Sequence, residues 1–154
     1  MAGDTYTVER SALVAAPPEQ VYEQLVDFHR WTNWSPWEEL DPDLERTYSG
    51  ADRAVGAVYE WSGNRKAGAG RMEITKADPP NEVDVALQFL KPFKSTSDVT
   101  FTLAREGEDT RVTWTMVGPR TLMTKVMGIF KSMDDFVGPD MEKGLAKLDA
   151  HVSR

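Results

Sequence analysis

Val83-Asp84-Val85-Ala86-Leu87-Gln88-Phe89 alternates large apolar residues with small or polar ones at a period of two. Only an extended strand carries i and i+2 to the same side, so this stretch puts four apolar side chains on one face of a sheet. The same rhythm returns in Val99, Phe101 and Leu103 and again in Val112, Trp114 and Met116, with Thr100, Thr102, Thr113 and Thr115 between them. One face is dry and the other wet, the signature of an antiparallel sheet packed on one side. Working outward, Ser49-Gly50, Ser62-Gly63-Asn64, Asp78-Pro79-Pro80-Asn81, Lys91-Pro92 and Glu106-Gly107-Glu108-Asp109 supply turn chemistry at hairpin spacing between Leu44 and Val117. A six-strand meander is predicted. Gly68 and Gly70 share the parity of Met72 and Ile74, so half of that strand's apolar face lacks side chains; this predicts a bend, close approach by a neighbour, and internal space.

The flanks of the meander are different. Tyr6 to Val14 reads as a first strand, and Pro17-Pro18-Glu19 opens a short helix whose apolar face is Val21, Leu25 and Phe28. The helix runs into Phe28-His29-Arg30-Trp31-Thr32-Asn33-Trp34-Ser35-Pro36-Trp37, which holds three of the five tryptophans within seven residues. Rings at that density must fold over the core, line a cavity or meet a partner. After Gly118-Pro119, Leu122 to Phe130 is apolar and methionine-rich, and a second helical stretch runs from about Met133 to His151. Val137, Met141, Leu145, Leu148 and Val152 form its stripe, while Pro139 is expected to kink it or mark its start.

The 154 residues and 40% apolar content fit one domain, 1–154, able to bury its own core. With no cysteine there are no disulfides, thiolate metal sites or cysteine nucleophiles, and a reducing, cytoplasmic location is expected. No stretch approaches the roughly 20 apolar residues of a transmembrane segment. A net charge of −7 repels polyanions, so nucleic acid is excluded as an expected partner. The basic cluster Arg65-Lys66 with Arg71 reads as a solvated turn and strand edge.

Trp31-x-x-Trp34-Ser35-Pro36-Trp37 with Asp41-Pro42, Tyr59-x-Trp61-x-Gly63-Asn64 leading to Gly68-x-Gly70, Thr110-x-Val112-x-Trp114, and Gly138-Pro139-Asp140-Met141-Glu142-Lys143-Gly144-Leu145-x-x-Leu148 occur in that order along the chain. In them the chain resembles the polyketide cyclase/dehydrase-like branch of the START/Bet v 1 superfamily, the helix-grip proteins. The resemblance covers nearly the whole sequence. It implies an α+β helix-grip fold: a curved antiparallel β-sheet wrapped around a long C-terminal α-helix, with two short helices after strand 1. It also implies a deep cavity between sheet and helix, used across the superfamily for lipids, sterols, polyketides and other apolar molecules.

No catalytic constellation is legible. His29 and His151 stand alone, outside any metal-ligand spacing, and no cofactor motif is present: Gly68-x-Gly70 lacks the Lys-Ser/Thr of a phosphate loop. Glu38-Glu39, Asp41 and Asp43 read as solvated, and Arg71 and Glu73 as a cross-strand charge pair facing away from the cavity. The expected ligand walls are aromatic, Trp34, Trp37, Tyr59, Trp61, Phe89, Phe101 and Trp114, and aliphatic or thioether, Met72, Leu87, Met116, Met133, Val137 and Met141. Each alone is what any core requires. A dry pocket of about 300–1,000 Å³ would cost on the order of 7–24 kcal/mol, against a typical stability of about 5–15 kcal/mol, so a real cavity must hold ligand or water, or shrink. The primary expectation is therefore binding of a small hydrophobic or amphipathic molecule, lipid-, quinone- or polyketide-like. The alternatives are a cofactor-independent cyclase/aromatase and an adaptor that docks a protein partner on an exposed Trp31–Trp37 surface.

Overall fold

The computed structural model describes residues 5–39, 41–64, 68–91, 94–119 and 133–153, with only the backbone of Trp37, Glu39 and 133–136. The expected methionine-rich helix Leu122–Phe130, the Arg65-Lys66 cluster, and the side chains of Trp37 and Met133 lie outside the described residues.

Strand β1 (Thr5–Val14) leads into α1 (Pro18–Leu25), where Pro18 occupies the first turn, and then into two 3₁₀ turns, Phe28–Asn33 and Pro36–Glu39. Six strands follow: β2 (Glu45–Gly50), β3 (Ala57–Ser62), β4 (Ala69–Asp78), β5 (Glu82–Lys91), β6 (Ser95–Glu106) and β7 (Asp109–Pro119). Helix α2 (Met133–Val152) completes the chain and runs through Pro139. The sheet order is β1-β7-β6-β5-β4-β3-β2, antiparallel throughout, so the meander closes by laying β7 on β1 from Thr5↔Pro119 to Val14↔Thr110. Register shifts at Ala69/Gly70 and Ile74/Lys76 put irregularities into β4, the strand whose glycines predicted a bend.

The curved sheet grips α2, whose Met141, Leu145, Leu148 and Val152 are buried as the stripe predicted, packed chiefly on β1 and also on α1 and the second 3₁₀ turn. Gly144 permits the approach, since a Cβ there would sit 3.0 Å from both Pro36 Cδ and the Trp114 ring. Polar contacts pin the grip: Asp149 accepts from the Ala15 N–H at 3.0 Å, and buried Thr110 donates to the Ala16 carbonyl at 2.7 Å.

On the wet face, Arg71 and Glu73 point away from the packed side, but the pair forms along β4 at 3.2 Å instead of across strands. Residues i and i+2 share a face and reach each other, although Glu60 lies opposite Arg71 on β3. Asp84 is the strained member of this face. Its Oδ1 is buried without a hydrogen-bond partner among the described residues, and burial first, then the hydrogen bond and like charge of Glu82, push its carboxyl up to about 6. A carboxyl that holds its proton more tightly folded than unfolded contributes stability present below pH 3.8 and lost as pH rises to about 6. Asp84→Asn is accordingly expected to gain about 1 kcal/mol at pH 7 after allowance for solvent screening, roughly 2–4 °C in Tm, and much less at pH 4. Thermal melts of both proteins at the two pH values check this.

Candidate functional site

Trp31 and Trp34 do two jobs in the aromatic run, and neither is to face solvent. Trp31 and Trp34 are 4% and 0% exposed. Trp31 donates its indole N–H to the Leu25 carbonyl at 3.0 Å and Trp34 donates to the Gln24 carbonyl at 3.2 Å. Those carbonyls belong to the last turn of α1, which has no intrahelical partner for them, so the segment caps the helix it follows. Trp34 then meets Trp31, Phe101 and Trp114 with ring centroids 4.7, 5.9 and 5.6 Å away. The expectation of an exposed Trp31–Trp37 surface is corrected at Trp31 and Trp34, which are spent inside the molecule; the Trp37 side chain lies outside the described residues.

A cavity of about 190 Å³ lies beside this core. Its described walls are Trp31, Ser35 and Glu38 from the 3₁₀ region, Leu44, Tyr59 and Trp61 from β3, Met72 from β4, Leu87 and Phe89 from β5, Met116 from β7 and Val137 from α2. Seven of the residues expected from sequence are therefore brought together: Tyr59, Trp61, Met72, Leu87, Phe89, Met116 and Val137. Trp34, Phe101, Trp114 and Met141 are not among these walls. They are 0–2% exposed within the main core, where Phe101 and Trp114 of the sheet meet Trp34 of the 3₁₀ region, and Met141 of α2 is buried too. The space survives beneath β3–β5, where Gly70 contributes no side chain and Trp61 lies over it; a Cβ on Gly70 would strike the Trp61 ring and come 2.6 Å from the Gln88 carbonyl oxygen. Tyr59 and Trp61 lie nearly parallel at 6.2 Å and 22°, and Phe89 meets Trp61 edge-on at 6.1 Å and 89°.

One polar cluster breaks the apolar lining. Glu38, expected to be solvated, has a side chain only 9% exposed. Its Oε1 accepts from the Tyr59 hydroxyl at 2.9 Å and its Oε2 from Arg46 Nε at 2.6 Å. A carboxylate tolerates such burial only when paired and hydrogen-bonded, and both conditions are met. Burial first, then the negative charge of Glu38, push the Tyr59 phenol up, which keeps it a neutral donor; the hydrogen bond to Glu38 likewise raises Arg46. Sequence reasoning missed Glu38, Trp31, Ser35 and Leu44 as walls. The available signal for Glu38 was indirect: an inward tyrosine needs a partner for its hydroxyl. Asp41 has the local role its polar segment suggested, accepting from the Asp43 and Asn64 N–H groups at 2.9 and 2.8 Å and so fixing two loops. His29 is half exposed, bonded to Asp27 at 2.8 Å and stacked on Tyr48 at 4.1 Å, away from the cavity.

A curved sheet closed on a C-terminal helix around an aromatic cavity is the architecture the resemblance implied. Residues 5–153 match the family described as polyketide cyclase/dehydrase and lipid transport. The chain belongs to that family. Solved structures place this polyketide cyclase/dehydrase-family chain among Bet v 1-like, helix-grip folds. Major latex-like protein 151 of Panax ginseng superposes with a TM-score of 0.70 at 16% identity, over 97% of this chain and 99% of that one. A protein of Chromobacterium violaceum gives 0.69 at 16%, over 96% and 98%. DynU16, from the dynemicin biosynthetic locus, gives 0.62 at 18%, over 94% of this chain and 46% of that one. At these identities the shared property is the fold, which hosts many functions. No curated protein matches the sequence. No helix among the described residues is long and apolar enough to cross a membrane.

Proposed function

We propose that this protein binds a small hydrophobic or amphipathic molecule in the cavity between β3–β5 and α2. The observation that carries the reading is the cavity itself: about 190 Å³ walled by Tyr59, Trp61, Met72, Leu87 and Phe89. Left empty, that volume would cost about 5 kcal/mol at roughly 24 cal/mol per Å³, a large share of a typical domain's stability. An apolar cavity of about 150 Å³ takes up benzene, so this one suits a ligand, or part of a ligand, of one to two rings. The family's lipid-transport and cyclase descriptions support the same ligand class.

The test is an equilibrium titration of the protein with naphthalene, followed by quenching of tryptophan fluorescence, beside native mass spectrometry of freshly purified protein. Saturable one-to-one binding is expected, weakened about tenfold by Trp61→Ala with the variant still folded. Non-saturable quenching would count against the reading, as would unchanged affinity in Trp61→Ala.

A cyclase reading has one observation in its favour, a carboxylate on the wall of an apolar space. Both Glu38 oxygens are already engaged, by Tyr59 and Arg46 at 2.9 and 2.6 Å, and the described walls bring no histidine or second carboxylate beside it to share proton transfer. Binding without turnover is the better-supported function.

A further inference from the structure

We infer that the Glu38–Tyr59 end of the cavity selects ligands that present a hydrogen-bond donor there, a neutral hydroxylated aromatic of phenol or enol type, and rejects ligands with a carboxylate head. The inference rests on the cavity reading above and narrows it.

The argument is a count of donors and acceptors. Tyr59 spends its one proton on Glu38 Oε1, so toward a ligand its oxygen can only accept. Glu38 is acceptor-only, and each of its oxygens, after one bond to Tyr59 or Arg46, keeps a further lone pair. Arg46, the residue that could have greeted an anion, is not among the described cavity walls; its Nε donates to Glu38 Oε2 at 2.6 Å and its Nη1 to the Leu44 carbonyl at 3.5 Å. Its charge offsets that of Glu38, and these two N–H groups are spent on Glu38 and Leu44, so the site favours a neutral donor over a cation. Among the described walls the other polar groups are the Ser35 hydroxyl, which can complement either partner, and the indole N–H groups of Trp31 and Trp61, of which Trp31's is spent on the Leu25 carbonyl. The remaining described walls, Leu44, Met72, Leu87, Phe89, Met116 and Val137, are apolar. A ligand hydroxyl placed at this end finds a charged acceptor in a water-poor setting, where such bonds are strong. A ligand with no donor leaves the acceptors dry, and a carboxylate meets a like charge at short range.

The experiment compares three isosteric probes, naphthalene, 2-naphthol and 2-naphthoate, by the same titration against the wild-type protein at pH 7. The expected order is naphthol tightest by tenfold or more over naphthalene, with naphthoate weakest. In Glu38→Gln, which supplies an amide donor and removes the charge, naphthoate should gain at least tenfold relative to naphthol. Tyr59→Phe keeps the carboxylate and should keep the naphthol preference, so it separates a charge effect from general damage at this end. Naphthoate binding as tightly as naphthol to the wild type would overturn the inference while leaving the cavity reading standing, as would equal affinity for all three probes. Failure of all three to bind would bring down the cavity reading and this inference with it. The wild-type ranking needs no variant, so it stands even if Glu38→Gln fails to fold.

Discussion

Trp34→Ala is expected to cost about 3–5 kcal/mol of folding stability, the range for truncating a large, fully buried aromatic residue. The ring is 0% exposed and touches Trp31, Phe101 and Trp114 edge-on or tilted, so deleting it opens a void that three rigid rings cannot close. It also takes the indole N–H from the Gln24 carbonyl and leaves the end of α1 without that cap. Against a total of about 5–15 kcal/mol, this loss should leave the variant marginal at 37 °C. Urea denaturation checks it: the midpoint should fall steeply, whereas Trp61→Ala, removing a half-buried ring from the cavity edge, should fall far less and lose ligand affinity instead. The reverse pattern, a stable Trp34→Ala protein with lost affinity, would return Trp34 to the cavity wall.

Gly70→Ala should do more damage than its single methyl suggests, about 1–3 kcal/mol together with loss of ligand binding. The added Cβ would lie 2.6 Å from the Gln88 carbonyl oxygen, which β5 holds in place through its pairing with β4, and would also collide with the Trp61 ring. A side chain yields by changing rotamer; a backbone carbonyl in a ladder yields only by breaking register. The expected outcome is a displaced Trp61, visible as altered near-ultraviolet circular dichroism, and affinity for naphthalene reduced tenfold or more. A Gly70→Ala protein with wild-type affinity and melting temperature would mean that the cavity does not depend on the close packing of Trp61 over β4.

Much of the architecture was legible because it follows from local periodicity. Val83, Val85, Leu87 and Phe89 could share a face only in a strand, and Met141, Leu145, Leu148 and Val152 only on a helix. The turn chemistry between them fixed a meander, and the parity of Gly68 and Gly70 with Met72 marked the irregular strand. Tyr59, Trp61, Met72, Leu87, Phe89 and Met116 follow from alternation and Val137 from the helix stripe, since each periodicity tells which side chains point inward.

Alternation cannot tell which inward side chains meet one another and which meet a void. Phe101 and Trp114 obey the same alternation as the strand walls, yet they close on Trp34 of the 3₁₀ region in the main core, which also takes Met141 of α2. The character of the site hung on a contact between residues 21 apart: Glu38, in a segment that reads as solvated, folds under β3 and accepts the Tyr59 hydroxyl. The sequence by itself determined the strands, the helix stripe and the inward face, because those depend on short-range backbone geometry. The assembled fold alone shows that Trp31 and Trp34 are buried and cap α1, and that one carboxylate belongs to the cavity. Burial and hydrogen-bond partners are properties of the assembled surfaces, and no residue carries them alone.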